Sequence, residues 1–397
     1  MEIAFQEWAE LILRWLHLVA GIAWIGASFY FIWLDLSLRK VESMPEGVFG
    51  ENWSVHGGGF YHSQKYLAAP KQMPKQLHWF KYEAYVTWLS GFSLMVVIYY
   101  WSAENFLIDN EKISFTSSEA ILASVGSLML GWILYNLVCK SSIYKNQKLL
   151  AVIIFILVVG FAFGLSHTFS DRAALLHVGA IIGGMMVGNV FFIIIPNQKK
   201  VVSDLIAGKT PEPALGNEAK QRSTHNNYLT LPVLLIMISS HYPILANQDR
   251  MWVVVALMLL IGGIVRDFFN VLHLEKGARS LYWQWPMALL LMILMILVCS
   301  YKSSGLIKNV EELAAVDAML IINKRCVSCH GRQPLDKDFD VPPGGLTLES
   351  LKSVRANGEK ILIQAVNSKA MPLGNKTSIT IQEREELGRW IRSGMLD

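Results

Sequence analysis

Charge is scarce along this chain. Only 17% of its 397 residues are Asp, Glu, Lys or Arg while 53% are hydrophobic, against about 25% charged in soluble globular domains. Such a composition points to a lipid bilayer as the chain's surroundings. The net charge is only +4 and no basic run is interleaved with aromatics, which excludes nucleic acid as a partner. Cysteine is also rare. Of the four present, Cys139 and Cys299 stand at the ends of different apolar segments and read as small buried hydrophobes. Nucleotide-binding glycine patterns are missing, because the triplet Gly57-Gly58-Gly59 lacks the further glycine and lysine spacing those loops require. The first residues carry Glu2, Glu7 and Glu10 and no positive stretch, so no cleaved signal peptide is expected there.

What the chain does have is eight apolar stretches, near 8–34, 82–101, 119–138, 149–166, 173–195, 226–245, 251–273 and 281–300. Each approaches the about 20 residues that cross a hydrocarbon core of roughly 30 Å. The expected fold is all-α: an eight-helix transmembrane bundle over residues 1–300, then a small domain over 301–397. That domain contains Cys326-Val327-Ser328-Cys329-His330. Two cysteines flanking two residues, with histidine next, form the c-type haem attachment pattern, in which thioethers fix the porphyrin and the imidazole meets the iron. A zinc site would need a second CxxC or an HxxxH pair, and neither occurs. Met371, in Ala370-Met371-Pro372-Leu373-Gly374-Asn375, is the candidate second axial ligand; a thioether opposite histidine raises the reduction potential, as suits an electron acceptor. A helix predicted over 311–325 leads into the motif, and Thr380 with Glu383 forms a capping box opening a last helix whose Leu387, Trp390 and Ile391 share a stripe. These features resemble a small class I cytochrome c.

Haem is attached to CxxCH outside the bacterial cytoplasm, which places the tail in the periplasm of an inner-membrane protein. Eight spans then put the N-terminus on the same side. The connections that would face the cytoplasm hold sixteen lysines and arginines and the opposite ones three, Lys112, Arg172 and Arg250, the asymmetry of the positive-inside rule.

Polar residues inside apolar spans are costly and mark chemistry. Arg14, His17, Gly21, Trp24 and Ser28 recur at helical spacing on one face, and His177 precedes Gly179, Gly183, Gly184 and Gly188. The glycines permit close helix approach or leave room for a flat cofactor. Arg14, His17 and His177 are the candidate catalytic groups, in a layer with His241 and with His167 at its rim. They would hold substrate or ligate a non-covalent b-type haem. Gly263, Arg266, Asn270 and His273 share a second stripe beside Asp267, where Arg266 either pairs with a carboxylate or receives an anionic substrate. The connection from Glu51 to His62 sets three glycines among Trp53, His56, Tyr61 and His62. It is either a grip for an anionic heterocycle, with His56 and His62 as binding candidates, or an aromatic anchor at the headgroups.

Three segments carry a family resemblance: Trp15-Leu16-His17-Leu18-Val19-Ala20-Gly21-Ile22-Ala23-Trp24-Ile25-Gly26, Trp53-Ser54-Val55-His56-Gly57-Gly58-Gly59-Phe60-Tyr61 and His78-Trp79-Phe80-Lys81-Tyr82-Glu83-Ala84-Tyr85. With the spans and the terminal haem motif, they resemble the membrane-bound urate oxidases fused to cytochrome c, also called urate hydroxylases. The resemblance covers nearly the whole chain. It implies oxidation of urate to 5-hydroxyisourate, with electrons passing to the haem and on to a respiratory cytochrome c or terminal oxidase. Only Cys326, Cys329, His330 and Met371 transfer residue by residue. A quinol-to-cytochrome c conduit is the competing class, and its expected paired histidines on two helices are not plain here. A transporter would need broken helices in repeated halves, and no internal repeat is found.

Overall fold

A computed structural model describes residues 5–42, 44–66, 70, 73–239, 241–246, 250–272, 282–300, 314–367 and 370–395. Helices form in all eight apolar stretches. In chain order the first part comprises α1 (Phe5–Ser37), β1 (Val48–His56), β2 (Gly59–Tyr66), α2 (Tyr82–Met95), α3 (Ala103–Phe106), α4 (Ser117–Lys140), α5 (Gln147–Ser166), α6 (Asp171–Gly188), α7 (Ile195–Ile206), α8 (Pro213–Ser239), α9 (Pro243–Ala246), α10 (Met251–Leu272) and α11 (Gln284–Ser300). Local chemistry sets several starts. Thr116 and Glu119 cap α4 reciprocally, and the Asn146 side chain accepts from the Leu149 N–H at the head of α5.

Two wide π turns interrupt the helices, Val96–Tyr100 after α2 and Asn189–Ile194 after α6. Pro196 follows the second; it has no N–H to give the preceding turn, which favours a break in the regular ladder there. Such turns mark functional positions more often than ordinary helix does.

Helix α6 is the axis of the bundle, packed against α4, α5 and α8. Its Leu175, Ile181, Ile182 and Met185 are fully buried with Ile236 and Met258. Small residues set the crossings. A Cβ on Gly188 would lie 2.5 Å from the Trp132 ring, and one on Gly262 the same distance from Pro232. Gly179 also packs closely, on Ile236 and Met237, whereas Gly183 and Gly184 face open space. The glycine stripe is thus a packing device at its ends and a gap in its middle. Helix α1 leans chiefly on α2 and leaves Trp15, Leu18 and Ile22 more than half exposed, as do Leu122, Ile156 and Leu297 on other helices. This apolar outer surface suits a bilayer, where backbone polar groups are satisfied within each helix.

Five helical stretches are long and apolar enough to cross a membrane among the described residues: Phe5–Ser37, Ser117–Lys140, Gln147–Ser166, Asp171–Ile206 and Met251–Leu272. The other three expected spans fall short for distinct reasons. A π turn divides 82–101, α8 is polar through its first half, and α11 has 17 residues. Arg222, counted above as a loop cation, is wholly buried within α8. The helix starts earlier than hydropathy indicates, because its polar residues face one another and not water.

The all-α expectation is corrected by one antiparallel hairpin. β1 and β2 pair from Val48↔Tyr66 to His56↔Gly59, with Gly57 and Gly58 as the two-residue turn. Both turn residues have positive φ, 57° and 80°, the conformation that matches the twist of paired strands. The triplet is a turn, and the flanking aromatic and β-branched residues are strand formers.

The tail forms a separate core. Helices α12 (Ala315–Arg325), α13 (Val327–His330), α14 (Leu351–Ala356), α15 (Gly358–Ile361) and α16 (Ile381–Arg392) enclose Ile322, Val354, Leu387 and Trp390. The expected capping box at Thr380 and Glu383 is present, and Trp390 is 1% exposed. Residues 311–313 of the helix expected before the motif lie outside the described residues.

Candidate functional site

Cys326, Cys329, His330 and Met371 line one cavity of about 380 Å³, within the roughly 300–1,000 Å³ typical of cofactor sites. Its walls are mostly apolar, with Phe339, Leu346, Leu348, Ile361 and Ala365 among them. The motif lies at the end of α12 and in the single turn of α13, so both thiols and the imidazole leave one short backbone segment. The His330 Nδ1–H donates to the Leu346 carbonyl at 3.0 Å. Nε2 therefore carries the free lone pair, the arrangement that orients histidine on a metal. Burial pushes the Cys326 thiol up to about 12 and the Cys329 thiol upward as well. They are neutral thiols, unlike the thiolates of a zinc site. Among the described residues no group of three or more His, Cys, Asp or Glu could hold a metal ion.

The methionine segment is fixed from two sides. The Met371 N–H donates to the Gln364 carbonyl at 2.9 Å. The guanidinium of Arg384, 6% exposed, donates to the carbonyls of Met371 and Ala365 and to Asn375 Oδ1. Sequence reading missed Arg384; its position one residue after the capping glutamate was the available signal. Together the two thiols, one imidazole with a free Nε2, a buried thioether and apolar walls fit a covalently attached haem.

The polar residues of the bundle fall into separate clusters. His17 turns towards α2, where its Nδ1–H donates to the Thr87 carbonyl at 2.8 Å. Arg14 pairs with Glu10 and reaches His241 Nε2 at 3.5 Å. His177 is fully buried in α6. Its Nδ1–H donates to the Ala173 carbonyl at 2.7 Å, so Nε2 accepts from the Ser124 hydroxyl at 2.5 Å, and Tyr100 OH donates to Ser124 Oγ at 2.7 Å. With both nitrogens engaged, His177 has no lone pair for a haem iron. His167 sits apart and exposed, bonded to its own helix at the Phe163 carbonyl.

A second cluster surrounds Arg222. It donates to Asn189 Oδ1 at 3.3 Å and Asn136 Oδ1 at 2.8 Å and lies 3.9 Å from Glu218. Asn189 also donates to Tyr135 OH and Asn226 Oδ1, both at 2.8 Å, and Tyr135 donates to His225 Nδ1 at 2.8 Å. Of this group the sequence had singled out Asn189 alone. The others sit in the polar half of α8, read as a connection, or on the apolar α4.

The third cluster holds Arg266. Its Nε–H donates to Asn227 Oδ1, and the guanidinium stacks over the Phe29 ring at 4.0 Å. Asn227 in turn donates to Asn270 Oδ1 at 3.2 Å. Asp267 is turned aside, accepting from Tyr228 at 3.1 Å and Gln284 at 3.2 Å. Arg266 is 5% exposed and has no carboxylate partner among the described residues. The ion pair considered for it is therefore not formed with Asp267. His273 of the same stripe lies outside the described residues. Arg266 meets Phe29, twelve residues beyond His17 on α1, so about 18 Å of helix separates the two candidate layers.

In the hairpin, His62 stacks on Trp53 with centroids 4.2 Å apart and hydrogen-bonds Glu51 at 2.8 Å, while His56 is exposed beside the turn. The His62 contact holds the Glu51 carboxyl below its ordinary value. His56 and His62 are not brought near Arg266, His17 or His177 by any contact described.

Comparison with known proteins addresses the bundle. A family model described as Urate oxidase N-terminal matches residues 3–300, while no curated protein and no solved structure matches the chain. The match runs through every helix from α1 to α11 and stops before the CxxCH cavity. On that span, the chain belongs to the urate oxidase family defined by its N-terminal part.

Proposed function

We propose that this protein is a membrane-bound urate oxidase linked to a c-type haem. It converts urate and water to 5-hydroxyisourate in purine degradation, releasing two protons and two electrons. The reading rests on the family match for the substrate and on one observation within the bundle. Arg266 is a buried cation with no carboxylate partner among the described residues. A buried charge without a counter-ion is costly, and urate is largely a monoanion at neutral pH.

Arg266 then holds the anion, the Phe29 face adjoins it, and Asn227 and Asn270 offer the amide groups a purine ring can bond. Asp267 is the carboxylate at hand to take a released proton, its position fixed by Tyr228 and Gln284. In the tail, His330 and Met371 would hold the haem iron and Cys326 and Cys329 its edge. When bound, that group supplies a one-electron acceptor above the potential of a bis-histidine site. The His177, Ser124 and Tyr100 chain lies nearer the tail than Arg266 does, since Phe169, 5.0 Å from the His177 ring, adjoins the turn that the tail contacts.

The topology belongs to the same proposal: eight spans in a bacterial inner membrane, N-terminus and haem domain in the periplasm, with a respiratory cytochrome c or terminal oxidase as acceptor. Three contacts support a shared side. Gln6 donates to the Val97 carbonyl, Arg14 reaches His241, and the tail touches Asn105.

The test is anaerobic addition of urate to the oxidised protein. Urate should produce the reduced haem spectrum without peroxide, and Arg266→Gln should raise the urate KM at least about tenfold, roughly 1.4 kcal/mol. Reduction by a quinol and not by urate would identify a quinol conduit instead. A pyridine haemochrome spectrum containing b-type haem would show a second centre in the bundle.

A further inference from the structure

The tail touches the bundle at one edge of its own cavity. Gly374, three residues after Met371, rests on the carbonyl end of α3, and a Cβ there would lie 3.0 Å from the Ile108 oxygen and 3.1 Å from those of Asn105 and Glu104. Its φ is +54°, so the position combines a left-handed backbone with a contact that admits no side chain. On either side, Asn375 Nδ2 donates to Glu111 Oε1 at 2.5 Å and Asn105 Nδ2 to Asp338 Oδ2 at 2.7 Å. Lys376 closes the set, 2.7 Å from Asp336 and 2.8 Å from Asp338.

Asn105 does more than clasp. It belongs to the bundle, yet it lines the same cavity as Cys326, His330 and Met371. It is 4% exposed, and its Oδ1 is buried with no hydrogen-bond partner among the described residues. A buried amide oxygen left unsatisfied costs about 1–3 kcal/mol unless something meets it. Directly behind it, Leu107 and Ile108 pack into the bundle core and the Leu107 carbonyl accepts from the Ser170 N–H at 3.0 Å. The edge of the cavity is therefore rigidly joined to the element carrying Phe169 and His177.

We propose that the membrane part completes the haem cavity: Asn105 is a positioning residue that closes its methionine edge, and the Gly374 contact is the dock through which electrons reach the haem. This rests on the haem reading above. An amide oxygen at the cavity wall stabilises the positive charge of the oxidised iron, so its removal raises the midpoint potential. Undocking separates the haem from the bundle without altering its ligands.

The experiment uses the full-length protein in detergent, with haem content measured first. Asn105→Leu should keep the haem content and shift the midpoint upward. Gly374→Ala should slow urate-driven haem reduction about tenfold, the effect of roughly 1–2 kcal/mol of left-handed strain on the docked population, while chemical reduction of the haem stays as fast as before. Gly394→Ala is the control, since Gly394 has φ +89° and nothing within 4 Å. Absence of haem would overturn the haem reading itself. Haem present with an unshifted midpoint in Asn105→Leu would remove Asn105 from the cavity, and equal rates in the two glycine variants would remove the dock.

Discussion

The cavity of the tail and the polar clusters of the bundle are built in opposite ways. In the tail, five consecutive residues deliver both thiols and the imidazole, and one short loop adds the thioether. In the bundle, Arg222 finds Asn136 and Asn189 on two other helices, 86 and 33 residues away. The first arrangement is written locally and survives as a motif. The second exists only once helices α4, α6 and α8 have packed.

Breaking the local arrangement should have the largest effect. Replacing Cys326 and Cys329 together by alanine removes both attachment points, and covalent haem staining of the purified protein should vanish while the bundle still inserts. In the bundle the cost appears as stability. Arg222→Leu removes charge-assisted bonds to Asn136 and Asn189, worth about 3 kcal/mol together, and should lower the unfolding temperature by several degrees in a detergent thermal melt. Arg384→Leu separates position from attachment. It frees the Met371 carbonyl while leaving the CxxCH segment intact, so haem content should hold and the midpoint potential should fall as the thioether is lost from the iron.

Acid should loosen the contact between the two regions with the smallest effect. Hydrogen bonds from Asn105 first and Lys376 second hold the Asp338 carboxyl below its ordinary 3.8. A carboxylate with a depressed value stabilises the folded contact above its unfolded value and loses that contribution as pH falls through the depressed one. Urate-driven reduction should therefore keep its rate down to pH values around 4 and slow reversibly below that, as a stopped-flow series would record.

The same contrast explains what could be read in advance. Cys326, Cys329 and His330 were legible because their spacing is their function, and Met371 because it falls within a short loop at cytochrome-like distance. All eight apolar stretches became helices, since composition and periodicity are local properties. Arg222, His225 and Asn227 were not legible, because polar residues in the first half of α8 lower its hydropathy to that of a loop. The hairpin was written in the alternation around Gly57 and Gly58, but glycines beside aromatics also suit ligand approach, and only strand pairing decides between the two. Arg14, His17 and His177 were correctly placed on inward faces, yet helical spacing alone says nothing about which neighbouring helix each face meets.

The π turns after α2 and α6 impose a rotational register on this bundle. Each wide turn takes in one residue more than an α turn, which swings every later side chain by about 100° around its axis. The first turn carries Tyr99 and Tyr100 and the second Asn189, so a polar cluster hangs on each. Deleting a single residue from either turn would leave the apolar length almost unchanged and still re-aim the helix beyond it. In such a chain an insertion or deletion of one residue inside a membrane helix can alter chemistry more than a substitution in a loop.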